Sequence, residues 1–350
     1  MLLLTLAATA QPGGKGSDHP RNVIFIVGDG MGPAQVYASI VAQGEGSAFL
    51  LFPYTGFSRT YSADKYTTDS GAGGSALMTG TKVPNYHIAL TADGTKPNSF
   101  LYTAKTLLGK AAGFVVTSSV LDATPASTYA HVAYRKQYDS ISLQMAQCPL
   151  DVMIGGDKDH FLPENRKDGT SPLDTLIQRG YSIAYSPAQL ADLDGSRICG
   201  LLTDGNPDQA PKRGDMLQQG VRKALDVLGK APEGFVLMIE GSQIDWANHN
   251  NDSSYLTAEL ADFEAMLHIV LDYARQDGNT LVVVTADHES GGLTLLDGDI
   301  QQGTNKMSFS TGGHTGVMVP VFAYGPWAQH FTGIHQNTYF APTILRLLGE

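Results

Sequence analysis

VIFIVGDG, Val23 to Gly30, is a five-residue apolar and mostly β-branched run that breaks abruptly into Gly28-Asp29-Gly30. A continuous run of this length reads as a strand buried on both faces, which belongs in a parallel sheet covered by helices. The pattern recurs in Phe114 to Thr117 (FVVT), Val152 to Ile154, Phe235 to Ile239 (FVLMI), Leu281 to Thr285 (LVVVT) and Val319 to Tyr324. Between the runs lie helix-like segments such as Ser99 to Leu108, Asp215 to Leu228 and Tyr255 to Ala274. Strands alternating with helices predict an α/β fold, a three-layer sandwich with a largely parallel central sheet. No internal repeat is evident. The stretch from Gly155 to Pro211 is richer in Gly, Pro, Asp and Asn, and reads as loops and short elements of the same domain.

The residues just beyond the strands carry the chemistry. VIFIV leads to Asp29, FVVT to Asp122 and Thr124, FVLMI to Glu240, and LVVVT to Asp287 and His288. In open α/β sheets, ligand sites lie beyond the carboxyl ends of the strands. One acid there is an ordinary turn residue. Four strand ends delivering acids to one edge repel one another unless cations lie between them, so the pattern asks for metal.

Composition narrows the partners. The chain has 350 residues, 42% of them hydrophobic, enough for one large α/β domain or two ordinary ones. We expect a single catalytic domain over residues 21–350. With 34 acids against 23 bases, the formal charge of -11 argues against nucleic acid as a partner. The N-terminal LLLTLAATA, Leu2 to Ala10, is too short to span a bilayer and ends in a small-residue Ala8-Thr9-Ala10 cleavage pattern, though a basic segment before it is missing. Residues 1–20 therefore read as a secretory signal remnant and linker, and the location as periplasmic or secreted. Cys148 and Cys199 form either one disulfide or two buried thiols. With no Cys-rich zinc pattern, metal must be held by His and carboxylates.

Gly28-Asp29-Gly30-Met31-Gly32-Pro33 resembles a dinucleotide loop only superficially. Pro33 stands where the third glycine belongs, and Asp29 would face a pyrophosphate. Asp29 fits a metal better. In EGSQIDWANH, Glu240 to His249, Asp245 and His249 are four apart and share a face if the segment is helical. TADHESGG places Asp287 and His288 beyond the most apolar strand, and GGHTG isolates His314 among glycines. Asp29, Asp245, Asp287, His249, His288 and His314 supply donors for two zinc ions with open positions. Glu240, Thr124 and Asp29 form an all-oxygen set suited to magnesium. Two ions roughly 4 Å apart can serve the attacking and leaving oxygens of an in-line displacement, which is phosphoryl-transfer chemistry.

TTDSGAGGSALMTG, Thr67 to Gly80, admits two readings: a small-residue helix packing close to a neighbour, or a site for Ser70 as nucleophile behind the N-cap Asp69. Taken in order, GDGMG, TDSGAGGSALMTG, DATPASTYAHVAYR, EGSQID-x3-H, TADH and GGHTG resemble the alkaline phosphatase family, from Val23 to Pro326. The resemblance implies a phosphomonoesterase with two zinc ions and one magnesium per subunit, usually a homodimer. It implies Ser70 as the nucleophile of a phosphoseryl intermediate. Asp245, His249 and His314 would hold one zinc, and Asp29, Asp287 and His288 the other. Asp29, Thr124 and Glu240 would hold magnesium, with Asp122 behind it through water. Arg135 would grip two phosphate oxygens, a planar fork that Lys does not reproduce. Without the motif, Arg135 reads as a surface residue on a helix with His131 and Tyr134.

Three departures qualify the resemblance. Trp246 stands where other members carry Lys or His near the phosphate, so one water-mediated cationic contact is missing. Asp122, rather than His, favours magnesium over a third zinc. The chain leaves little room for a large insertion between the zinc motifs, so dimer geometry is less constrained than chemistry. A phosphodiesterase of the same superfamily is the nearest alternative, and a non-catalytic metal-binding protein a distant one. A sulfatase is disfavoured because Gly-Ala-Gly, not x-Pro-x-Arg, comes after Ser70.

Overall fold

The computed structural model describes residues 19–349, so the apolar run read as a secretory signal lies outside the described residues. In chain order the strands are β1 (Asn22–Gly28), β2 (Tyr54–Arg59), β3 (Ala111–Ser119), β4 (Val152–Gly156), β5 (Ser182–Ala184), β6 (Ile198–Leu201), β7 (Phe235–Gly241), β8 (Thr280–Thr285), β9 (Glu289–Ser290), β10 (Leu293–Asp299), β11 (Thr304–Phe309), β12 (His314–Thr315), β13 (Val319–Tyr324) and β14 (Gly333–Gln336). The helices are α1 (Pro33–Gln43), α2 (Ser70–Thr79), α3 (Phe100–Leu107), α4 (Ala123–Ala126), α5 (Tyr138–Gln147), α6 (Pro172–Gln178), α7 (Pro187–Asp192), α8 (Met216–Leu228), α9 (Gln243–His249), α10 (Ser253–Asp277) and α11 (Phe340–Leu348).

Ten strands form one sheet in the order β14-β2-β13-β8-β1-β7-β3-β4-β6-β5. Alternate residues of its central strands enter two separate cores. Val23, Phe25 and Val27 of β1 pack with α2, α3 and α11, whereas Ile24 and Ile26 pack with α8, α9 and α10. Val236 and Met238 of β7 likewise face the first core, and Leu237 and Ile239 the second. This is the three-layer α/β sandwich expected, and it explains why Val23 to Val27 and Phe235 to Ile239 are apolar at every position rather than at every second one.

All six predicted runs are strands, but β13 runs antiparallel to β8 and β2. The reason is the connection. After β8 the chain stays at the carboxyl edge through β9 to β12 and returns directly beside β8, with no crossover helix to reverse it. The stretch from Gly155 to Pro211 extends the same sheet with β5 and β6. Cys148 and Cys199 are buried free thiols. No helix among the described residues is long and apolar enough to cross a membrane.

Register aligns the strand ends. Val27 pairs with Glu240 on one side and Thr285 on the other, and Val116 with Glu240. Residues one or two beyond these pairs therefore emerge together at one edge of the sheet.

Candidate active site

The edge gathers two triads of ligand-type side chains. Asp29, Asp287 and His288, all buried, form one, and Asp245, His249 and His314 form the other. His288 and His314 stack with ring centroids 3.6 Å apart, so the triads are adjacent. Asp245 and His249 share a face of α9, with His249 Nε2 3.2 Å from Asp245 Oδ2. The bridge between β9 and β12 pairs His314 with Ser290, which carries His314 to the same place.

Backbone carbonyls orient the imidazoles. His249 Nδ1 donates to Gly312 O at 2.7 Å and His314 Nδ1 to Thr68 O at 2.8 Å. A carbonyl can only accept, so each Nδ1 carries a proton and each Nε2 turns inward, where the two lie 3.1 Å apart. Ser290 Oγ, itself bonded to Asp245 Oδ1, lies 3.3 Å from His288 Nδ1 and leaves His288 Nε2 facing the acids. Two imidazole nitrogens pointing at one another is an arrangement that a cation between them would satisfy.

The acids state the same need. Asp29 Oδ1 and Asp287 Oδ2 are buried and take part in no hydrogen bond, and the same holds for Thr124 Oγ1. His288 Nε2 lies 3.1 Å from the Asp287 oxygen and 3.5 Å from that of Asp29. Burial, and then the charges of Asp287, Asp245, Glu240 and Asp122, hold the Asp29 carboxyl well above the usual carboxylate range. Burial pushes Glu240 up to about 8, reinforced by Asp122 and Asp287 against a 2.7 Å hydrogen bond from Ser242 Oγ. Hydrogen bonding to Asp245 raises His249 to about 9, while burial and the charge of His288 lower His314 to about 4. Oxygen and nitrogen donors crowded together, with Asp29 and Glu240 held protonated by burial and by the neighbouring acids, fit divalent metal.

Ser70 is the first residue of α2, and Asp69 caps that helix through a 3.0 Å bond from Ala72 N. Ser70 Oγ lies 3.1 Å from His288 Nε2, at the positive end of the helix dipole. The small residues of α2 serve this placement. A Cβ added at Gly73 would lie 3.0 Å from Asp287 O, and one at Gly74 would lie 3.3 Å from Thr124 Cα. The helix therefore packs directly on two of the predicted ligand residues, which is the close approach that the packing reading of this stretch expects. Gly30 has φ +69°, and a Cβ there would meet Ser290 Oγ at 2.8 Å and Asp245 Oδ1 at 2.9 Å. The turn after β1 thus needs glycine for the site rather than for a dinucleotide.

Arg135 is not on a helix with His131 and Tyr134; it lies in a turn, and its backbone N donates to Tyr86 O at 2.8 Å. Its guanidinium is held by Asp69 Oδ2 at 3.0 Å and Asp122 Oδ1 at 3.1 Å. Asp122 also caps α4 through Ala123 N at 2.8 Å, so it faces Arg135 as well as the acids. Trp246 is half-buried and comes next after Asp245 on α9. Sequence reasoning missed Asp69 as the partner of Arg135, although its place beside Ser70 was a signal. It also missed Ser290, which touches both triads, and nothing in the sequence marks it.

Residues 20–308 match the alkaline phosphatase family. The chain is 30% identical to alkaline phosphatase 3 of Bacillus subtilis over 97% of its own length and 92% of that protein. It resembles the structure of alkaline phosphatase from the Antarctic bacterium TAB5 with a TM-score of 0.88 and 34% identity, covering 94% of this chain and 98% of that one. A variant of the TAB5 enzyme with Mg bound in its M3 site matches with a TM-score of 0.87 and 35% identity over the same shares. On these grounds the chain belongs to the alkaline phosphatase family and is a metal-dependent phosphomonoester hydrolase.

Proposed function

We propose that Ser70 is the nucleophile of this hydrolase and carries a phosphoseryl intermediate, with residues 21–350 acting as one catalytic domain. The observation that supports it best is Ser70 Oγ at a helix N-terminus, 3.1 Å from His288 Nε2 of the buried triad. Asp29, Asp287 and His288 would hold one zinc ion, and Asp245, His249 and His314 a second. Thr124, Glu240 and Asp29 would hold magnesium, a choice supported by their oxygen-only donors and by the Mg site named for the TAB5 variant. When bound, the ions would supply positive charge that favours the serine alkoxide and offsets charge on the departing oxygen.

The chain's own groups do the rest. Arg135, steadied by Asp69 and Asp122, turns its fork to two non-bridging phosphate oxygens and supplies a local cation for an anionic substrate in a chain of net charge -11. Ser70, its hydroxyl proton passed to solvent, attacks phosphorus in line, and the P–O bond to the alcohol breaks on the opposite face, where the alcohol takes a proton from solvent. Water then attacks the phosphoserine from that face, releasing inorganic phosphate and restoring Ser70. Asp122 and Trp246 border this centre without taking part in bond making. We also assign the enzyme to the periplasm or the exterior, as a homodimer. Its small-residue Ala8-Thr9-Ala10 pattern supports export.

The test is phosphate release from p-nitrophenyl phosphate and from its bis ester. Monoester turnover should dominate, vanish on chelation, return with Zn²⁺ plus Mg²⁺, and be abolished in Ser70→Ala. Turnover that survives chelation would refute the assignment.

A further inference from the structure

Tyr66 is 80% exposed, the largest value among the exposed large hydrophobic side chains of the described residues, and the chemistry above makes no use of it. A single exposed tyrosine is ordinary. The seat of this one is not. A Cβ added at Gly316 would come within 2.2 Å of Tyr66 Cε1 and 3.0 Å of its Cζ, so the ring lies directly on Gly316, two residues after His314. The last glycine of GGHTG, unexplained by ligand geometry, is what makes room for it. The loop carrying the ring is tied at the same point, because Thr68 O accepts from His314 Nδ1 at 2.8 Å.

In-line displacement sends the leaving group away from Ser70 Oγ. Ser70 faces the fully buried His288, whereas the other triad opens outward through His249, whose side chain is 38% exposed. The leaving group therefore departs on the His249 and His314 side, where Gly316 and Tyr66 stand. Tyr86 and Tyr134, with ring centroids 6.4 Å apart, line the Arg135 side instead.

We propose that Tyr66, seated on Gly316, is a specificity-determining residue that stacks on the flat aromatic leaving group of aryl phosphomonoesters, an inference that rests on the Ser70 phosphatase reading. An aromatic contact of this kind favours an aryl over an alkyl group by about fivefold.

The test compares competitive inhibition by phenylphosphonate and methylphosphonate, with p-nitrophenyl phosphate as reporter, in the metal-loaded wild type and in Tyr66→Ala, Tyr66→Phe, Gly316→Ala and Tyr86→Ala. The wild type should prefer phenylphosphonate. Tyr66→Ala should cut that preference about fivefold, Tyr66→Phe should keep it, and Gly316→Ala, which displaces the ring without removing it, should reduce it. An unchanged preference in Tyr66→Ala, or one lost in Tyr86→Ala instead, overturns the proposal. So does an unchanged preference with a smaller mass by light scattering, which would assign Tyr66 to a contact between copies. A wild type that turns over normally while Tyr66→Ala keeps the preference defeats this inference alone. A metal-loaded wild type that releases no p-nitrophenol defeats the underlying reading along with it.

Discussion

Gly73→Ala isolates the link between helix packing and chemistry. The added methyl gains about 1 kcal/mol of helix propensity over glycine. It would also sit 3.0 Å from Asp287 O and 3.1 Å from Asp287 Cβ, so α2 and the turn after β8 must part by a few tenths of an ångström. Overpacking of this size costs about 1–3 kcal/mol, which leaves a net destabilisation of about 0–2 kcal/mol, a few degrees in Tm. The catalytic effect should be larger. Ser70 and Asp287 lie on the two elements forced apart, and misplacement by 1 Å costs about a hundredfold in rate. A shift of a few tenths should cost about tenfold in kcat/KM for p-nitrophenyl phosphate and raise the Zn²⁺ concentration needed for activity. Gly74→Ala, whose methyl would meet Thr124 at 3.3 Å, should raise the Mg²⁺ requirement instead. Differential scanning fluorimetry and metal titrations of activity read both. A Gly73→Ala protein with wild-type kcat/KM and a higher Tm would show that the glycines serve nothing beyond a tight helix.

Arg135→Lys removes the fork while keeping the charge, and kcat/KM should fall about a hundredfold in steady-state assays; a change under threefold would mean that Arg135 does not hold phosphate. Metal binding should depend on pH. His249, raised to about 9, and Glu240, raised to about 8, carry protons at neutral pH that metal must displace. Affinity measured by calorimetry should therefore climb from pH 6 to about 9, with proton release, and a flat profile would contradict the ligand set. Both groups bind protons more tightly folded than unfolded, so the metal-free protein should lose stability as pH rises through 8 and 9. Trp246→Lys should tighten inhibition by inorganic phosphate roughly fivefold by adding a partly exposed cation, and unchanged inhibition would show that the side chain does not face phosphate.

The central strands were legible because burial on both faces makes Val23 to Val27 and Leu281 to Val284 apolar without interruption. The edge strands were not. β2 is buried only at Gly56 and Ser58, and β5 and β14 are three and four residues long, so neither length nor apolarity marks them. The antiparallel course of β13 depends on a missing crossover, a property of the connection rather than of its six residues. Ligand-type side chains could be named because chemistry restricts them to Asp, Glu, His and Thr. Their supports could not: Gly312 O and Thr68 O are backbone carbonyls, invisible in a residue string, and Ser290 looks like any serine in a turn. Asp69 was visible as an N-cap, but its hold on Arg135 bridges 66 positions of sequence.

Every catalytic role assigned above depends on the covalent step at Ser70. The deciding measurement is an acid quench of the metal-loaded enzyme during turnover of p-nitrophenyl phosphate, with mass spectrometry of its peptides. Phosphate should be found on the peptide containing Ser70 and should be lost after chelation and in Ser70→Ala, which should also lose turnover. Full turnover by Ser70→Ala, or phosphate carried on any other residue, would contradict it.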